Sequence, residues 1–181
     1  HFIKLGCEFI VCDFRGYGRS DGVPTLKSSL KDASTIYYYL RDNKFLKKNV
    51  CVMGRSLGSA SAIELCSRVS EVTCCIIESG YADPIPLVER RGLNITNITS
   101  VEIALFSNSE KMRLVKCPIL IMHGEMDSLI SPREANLNYK NASSTNKKLA
   151  ILEEVGHNDI MMARDNAYFL CMSSFFSQVF R

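Results

Sequence analysis

The chain has 181 residues, 46% of them hydrophobic and 23% charged, with a net charge of +3. That is about one domain with enough apolar residue for a sizeable core. No dense Lys/Arg run is present, so an electrostatic nucleic-acid footprint is excluded.

Short apolar runs alternate with longer amphipathic ones. The stretch EFIVCDF (8–14) reads as the first strand. A helix over Leu26–Arg41 follows, with apolar residues at 26, 30, 33, 36, 37 and 40 on one face. NVCVM (49–53) is the second strand and Leu57–Val69 the next helix. TCCIIES (73–79), CPILIMH (117–123) and KKLAILEE (147–154) complete a set of about five strands. Several are nearly continuous hydrophobe, as strands buried on both faces must be. Pro132–Tyr139 reads as a helix with Ser131 as N-cap, and 166–180 as a last helix with Phe169, Met172, Phe176 and Val179 at helical spacing. This alternation predicts an α/β fold: a mostly parallel sheet with helices on both faces, in one domain over 1–181. The irregular stretch 80–116, with Pro84, Pro86, Arg90-Arg91 and an Asn-Ile-Thr repeat, is too long for a simple crossover and reads as a short cap.

Eight cysteines are present without a C-x-x-C pair. Cys12, Cys51, Cys74, Cys75 and Cys171 lie in apolar runs and read as small buried hydrophobes, in a reducing, cytosolic-type compartment. N-x-S/T sequons stand at Asn94, Asn97 and Asn141. The Lys47-Lys48 and Lys147-Lys148 pairs read as solvated strand entries. No apolar run reaches the roughly 18 residues of a membrane span.

The chemistry centres on VMGRSLGSA (52–60), which contains Gly54-x-Ser56-x-Gly58. A serine at a strand-to-helix turn sits at the carboxyl end of the sheet, where ligands bind in open α/β folds. The turn is strained and crowds the residues two before and two after the serine, so both are expected to be small. Ser59, Ala60, Ser61 and Ala62 keep the following helix slim. A phosphate-binding loop would need G-x-G-x-x-G or G-x-x-x-x-G-K-S/T, and neither is present. A serine nucleophile needs a histidine base and an acid to orient it. In this kind of fold the order along the chain is Ser, acid, His. Of His1, His123 and His157, only His157, in GHND after the final strand, can follow an acid placed after ILIMHG. His123 reads as a packing residue beside Gly124. Asp127 is the leading acid, with Glu125 in the same loop and Asp83 after the third strand as alternatives. Asp127 could instead serve an Asx-type turn.

These motifs resemble the alpha/beta-hydrolase superfamily. DFRGYGRSDG (13–22), GRSLGSA, HGEMD and GHND occur in family order over about residues 8–165. The resemblance implies Ser56 as nucleophile, Asp127 as acid, His157 as base and the Leu57 backbone N–H as one oxyanion donor, with no cofactor or metal. It points to the serine-hydrolase branch that includes eukaryotic alpha/beta-hydrolase-domain proteins, some of them protein depalmitoylases. The implied substrate is a small-molecule or acyl-protein ester or thioester, met in the cytoplasm or at the cytosolic membrane face. Membrane attachment would fall to sequence before His1. A serine peptidase and a non-catalytic binding scaffold are the alternatives. The family strand that supplies the second oxyanion N–H would lie between EFIVCDF and NVCVM and is expected upstream of His1; otherwise those two strands pair directly. One such donor is worth about 2.7–4 kcal/mol, so residues 1–181 alone are expected to be weakly active or inactive.

Overall fold

A computed structural model describes residues 2–89, 92 and 99–180. His1, Arg90-Arg91 and the sequons at Asn94 and Asn97 lie outside the described residues. The chain divides into two compact units, His1–Asn49 and Val50–Arg181.

In the first unit a 3-10 turn, Phe2–Leu5, precedes an extended run and helix α1, Leu26–Asp42. A capping box starts α1: the Thr25 hydroxyl accepts from the Ser28 N–H, and the Ser28 hydroxyl accepts from the Thr25 N–H. Arg15 grips Asp32 of α1 through Nε and Nη2, which lowers the Asp32 pKa below the usual carboxylate range. Residues 8–14 were expected to form a strand and do not. Among the described residues the sheet has four strands rather than five. Phe9, Ile10 and Val11 are exposed. An apolar run has strand character only when a neighbouring ladder takes up its backbone groups, and hydrophobicity cannot supply that ladder.

The second unit is built on β1 (Cys51–Arg55), β2 (Cys74–Glu78), β3 (Ile119–Gly124) and β4 (Lys147–Leu152). All neighbours are parallel, with Gly54 opposite Ile77, Ile76 opposite Leu120 and Ile121 opposite Leu149. β2 and β3 are buried at every position. Only a sheet covered on both faces permits this, and it explains why those two segments are unbroken hydrophobe. Helix α2 (Gly58–Arg68) packs on β1 and β2, α6 (Pro132–Asn141) on β3 and β4, and α7 (Ala167–Val179) on β3 and β4. Ser131 caps α6 as expected, its hydroxyl accepting from the Arg133 N–H.

The stretch between β2 and β3 is not uniformly peripheral. It holds α3 (Pro84–Glu89), α4 (Ser100–Phe106) and α5 (Asn108–Met112). No residue of α4 is buried. In contrast, Asn108, Ser109, Lys111 and Met112 of α5 are buried, and α5 packs between α2 and α6. Buried Lys111 pairs with buried Glu64 of α2 at 2.7 Å, and Arg68 pairs with the same carboxylate. Two other expectations change. Lys147 is a helix cap rather than a solvated residue: its Nζ donates to the Tyr139 and Ala142 carbonyls, both 2.9 Å away, at the end of α6. Cys74 and Cys75 are fully buried, but Cys51 and Cys171 are half-buried and Cys12 is exposed. Among the described residues, no helix is long and apolar enough to cross a membrane.

Candidate active site

Ser56 occupies the turn between β1 and α2. Its φ is +53°, a left-handed conformation that costs a non-glycine residue of order 1–3 kcal/mol. The surrounding structure holds it there. The Ser56 N–H donates to the Glu78 carbonyl at 2.9 Å, continuing the β1–β2 ladder, and the Ser59 hydroxyl donates to the Ser56 carbonyl at 2.6 Å. Gly54 allows the close approach: a Cβ there would stand 2.5 Å from the Gly58 carbonyl oxygen and 2.6 Å from the Ala62 Cβ. Gly58 is different. A Cβ added to it meets nothing within 4 Å, so the crowding falls on one glycine of the motif and not on both. Ser59, Ala60, Ser61 and Ala62 are all buried, as the slim helix required.

Asp127 and His157 come from loops that leave the same end of the sheet. Asp127 follows β3, and His157 follows β4. The two loops meet closely because Gly124 lacks a side chain: a Cβ there would lie 2.5 Å from the carbonyl oxygens of both Val155 and Gly156. The Met126 N–H then donates to the Val155 carbonyl at 2.9 Å. His157 Nδ1 stands 2.7 Å from Asp127 Oδ2, and His157 Nε2 stands 2.9 Å from Ser56 Oγ. With the ring proton on Nδ1 donated to the carboxylate, Nε2 is free to accept the serine proton. Asp127 and His157 are both buried, so the carboxylate–imidazole bond is shielded from water.

Three residues separated by 71 and 30 positions in sequence are thus brought into one hydrogen-bonded chain, |i−j| being 101 for Ser56–His157 and 30 for His157–Asp127. The alternative acids are committed elsewhere. Asp83 accepts the Ser107 and Ser109 hydroxyls at 2.6 and 2.9 Å. Glu125 is exposed and accepts the Glu154 N–H at 3.5 Å. Asp127 also makes the Asx-type turn: its Oδ1 accepts the Leu129 and Ile130 N–H groups at 2.9 and 2.8 Å. The turn and the histidine contact use different oxygens and coexist.

Several supporting residues escape sequence reasoning. His123 is fully buried, as a packing residue would be, but its Nε2 lies 2.8 Å from the Ile130 carbonyl and 3.1 Å from Asp127 Oδ2. Burial lowers its pKa, and this outweighs the opposing pull of the Ile130 carbonyl and Asp127. Arg55, Glu78 and Tyr168 form a second network beside Ser56. Arg55 Nε donates to Glu78 Oε1 at 2.9 Å, and Tyr168 Oη donates to Glu78 Oε2 at 2.6 Å. Burial raises the Tyr168 pKa, and the Glu78 carboxylate raises it further. Arg55 fills a variable position of the motif, and its contacts span about a hundred residues, so no local pattern signals it.

A serine on a strand-to-helix elbow of a parallel sheet, facing a histidine and an acid from later strand ends, defines a protein of the alpha/beta-hydrolase fold. The family model described as serine aminopeptidase, S33, matches residues 86–162, a span that includes Asp127 and His157. Protein bem46 of Schizosaccharomyces pombe is 28% identical over 183 residues, covering 98% of this chain and 60% of that protein. Human alpha/beta hydrolase domain-containing protein 17B is 28% identical over 158 residues, covering 87% of this chain and 52% of that protein. The chain therefore spans less than two thirds of the length of these relatives. The Pyrococcus furiosus esterase Pf2001 superposes with a TM-score of 0.74 at 21% identity, covering 92% of this chain and 68% of that one. The family model, the curated relatives and the solved structures together support a member of the alpha/beta-hydrolase superfamily.

Proposed function

We propose that the protein is a serine hydrolase that cleaves carboxylic esters or thioesters through an acyl-enzyme at Ser56. The observation that carries this reading is the continuous chain from Ser56 Oγ through the His157 ring to Asp127 Oδ2, at 2.9 and 2.7 Å. His157 Nε2 takes the serine proton as Oγ attacks the acyl carbonyl, then returns a proton to the leaving group. Asp127 holds the Nδ1–H tautomer and stabilises the imidazolium that forms. The Leu57 N–H, at the start of α2, is one donor to the developing oxyanion, aided by the positive end of the helix. Water then attacks the acyl-enzyme with His157 again as base. Eight free cysteines favour a reducing compartment, the cytoplasm or the cytosolic face of a membrane.

A serine peptidase is the second reading, favoured by the aminopeptidase description of the matching family model. Parallel assays on p-nitrophenyl butyrate, a short acyl thioester and an aminoacyl-p-nitroanilide separate the two. Hydrolysis of the ester and thioester, lost in Ser56→Ala, is expected. Turnover confined to the anilide would replace the esterase reading with the peptidase one.

A further inference from the structure

We propose that Arg55 is a positioning residue for His157, clamping the loop of the base to the strand end that carries the nucleophile. The inference rests on the reading of His157 as base. Arg55 is the last residue of β1 and the immediate neighbour of Ser56. Its Nη2 donates to the His157 backbone carbonyl at 2.6 Å and to Asn158 Oδ1 at 3.1 Å, while its Nε donates to Glu78 Oε1 at 2.9 Å. His157 is therefore attached at two points to two consecutive residues. Its ring meets Ser56, and its main chain meets Arg55.

The clamp has a firm base. Glu78 is fully buried at the end of β2, and Tyr168 of α7, also fully buried, fills its second oxygen at 2.6 Å. The carboxylate cannot swing without losing one of these bonds. The guanidinium is planar, so anchoring Nε on Glu78 fixes where Nη2 points, and it points at the His157 loop. Only arginine can make both contacts with one rigid group. A lysine is a point charge that can satisfy the carboxylate or the loop carbonyl, but not both in fixed geometry. Other bonds in the loop from β4 to α7 fall on either side of the ring, the Met126 N–H on the Val155 carbonyl at 2.9 Å and the Gly156 N–H on Asp159 Oδ1 at 2.7 Å, and Arg55 adds the tie at the His157 carbonyl itself. A misplacement of about 1 Å at reacting atoms can cost about a hundredfold in rate.

The test compares wild type, Arg55→Lys and Arg55→Met in the intact protein. A second form of the Met variant also carries Glu78→Gln, which removes the buried charge that Arg55→Met would strand. Fluorophosphonate labelling gives two readouts: the end point counts folded sites, and the rate reports serine activation per site. Steady-state hydrolysis of p-nitrophenyl butyrate gives kcat and KM. The expected result is a full labelling end point in all folded variants. The rate and kcat fall about a hundredfold in the Met forms, by the misplacement argument, and by a smaller factor in Arg55→Lys, with KM unchanged. An end point that falls while the rate per labelled site holds would make Arg55 a stability residue only and overturn the inference. So would an unchanged rate, or a rise in KM with kcat preserved. Ser56→Ala and His157→Gln run alongside. Wild-type turnover that survives both would overturn the hydrolase reading itself, an outcome distinct from a hydrolase indifferent to Arg55.

Discussion

His123 and His157 address the same oxygen: His157 Nδ1 lies 2.7 Å and His123 Nε2 lies 3.1 Å from Asp127 Oδ2. With the Leu129 and Ile130 N–H groups on Oδ1 and His157 Nδ1 on Oδ2, the buried carboxylate has three hydrogen-bond donors, while His123 Nε2 stands beside it and is bonded to the Ile130 carbonyl. His123 has its acceptors on the Nε2 side, and burial holds its pKa below the ordinary histidine value. Below about pH 6.5, the usual histidine pKa, the unfolded chain therefore binds a proton that the native His123 does not. Stability is present above that pH and is lost as pH falls through the lower, folded pKa. Melting temperatures measured from pH 7 down to pH 5 should decline in wild type. His123→Gln keeps a donor at the Nε2 position but cannot titrate, so its decline should be shallower. Equal slopes in the two proteins would show that His123 does not contribute to acid sensitivity.

The two glycines of the elbow should behave oppositely. Gly54→Ala drives a Cβ into the Gly58 carbonyl and Ala62, and overpacking of this kind costs about 1–3 kcal/mol. Gly58→Ala meets open space in the first turn of α2, and there alanine is favoured over glycine by about 0.5–1 kcal/mol. Urea denaturation of both variants checks the contrast. A Gly58→Ala protein as destabilised as Gly54→Ala would contradict it.

Glu134 of α6 anchors the loop that leaves β2. Its Oε2 accepts the Ala82 and Asp83 N–H groups at 2.9 and 3.3 Å. Beside it, the Tyr81 carbonyl accepts Asn108 and Asn138 Nδ2, each at 2.9 Å. Glu134→Ala leaves those amides without the acceptor, at about 1–3 kcal/mol for a buried unsatisfied group. Glu134→Gln retains an amide oxygen and should recover most of the loss. Chemical denaturation of the pair decides it: equal losses in Ala and Gln would mean that charge, not the acceptor, is what the loop requires.

The sequence carries the site more legibly than it carries the sheet. Ser56, Asp127 and His157 each stand just past an apolar strand, and strand ends converge in a parallel sheet, so their meeting could be anticipated from order alone. The four strands in the sheet are the runs whose ladder partners lie within Val50–Arg181. Residues 8–14 have the same composition but no ladder, and composition does not distinguish the two cases. The 107–115 stretch looks irregular in sequence because α5 is one short turn-like helix; its burial comes from packing between α2 and α6, with Lys111 on Glu64 of α2, tertiary contacts with no periodic signature. Arg55, Glu78, Tyr168 and His123 were illegible for a related reason. Each acts through polar atoms that meet a backbone group or side chain distant in sequence, and only the assembled geometry shows which atoms those are.

The central claim is that Ser56 is an activated nucleophile, and the most direct measurement is the mass and site of a fluorophosphonate adduct on the intact protein. A single adduct is predicted, mapping to the peptide that contains Ser56, absent in Ser56→Ala and formed far more slowly in His157→Gln. An adduct that survives Ser56→Ala, or a well-folded wild-type protein that takes no label, would contradict the account.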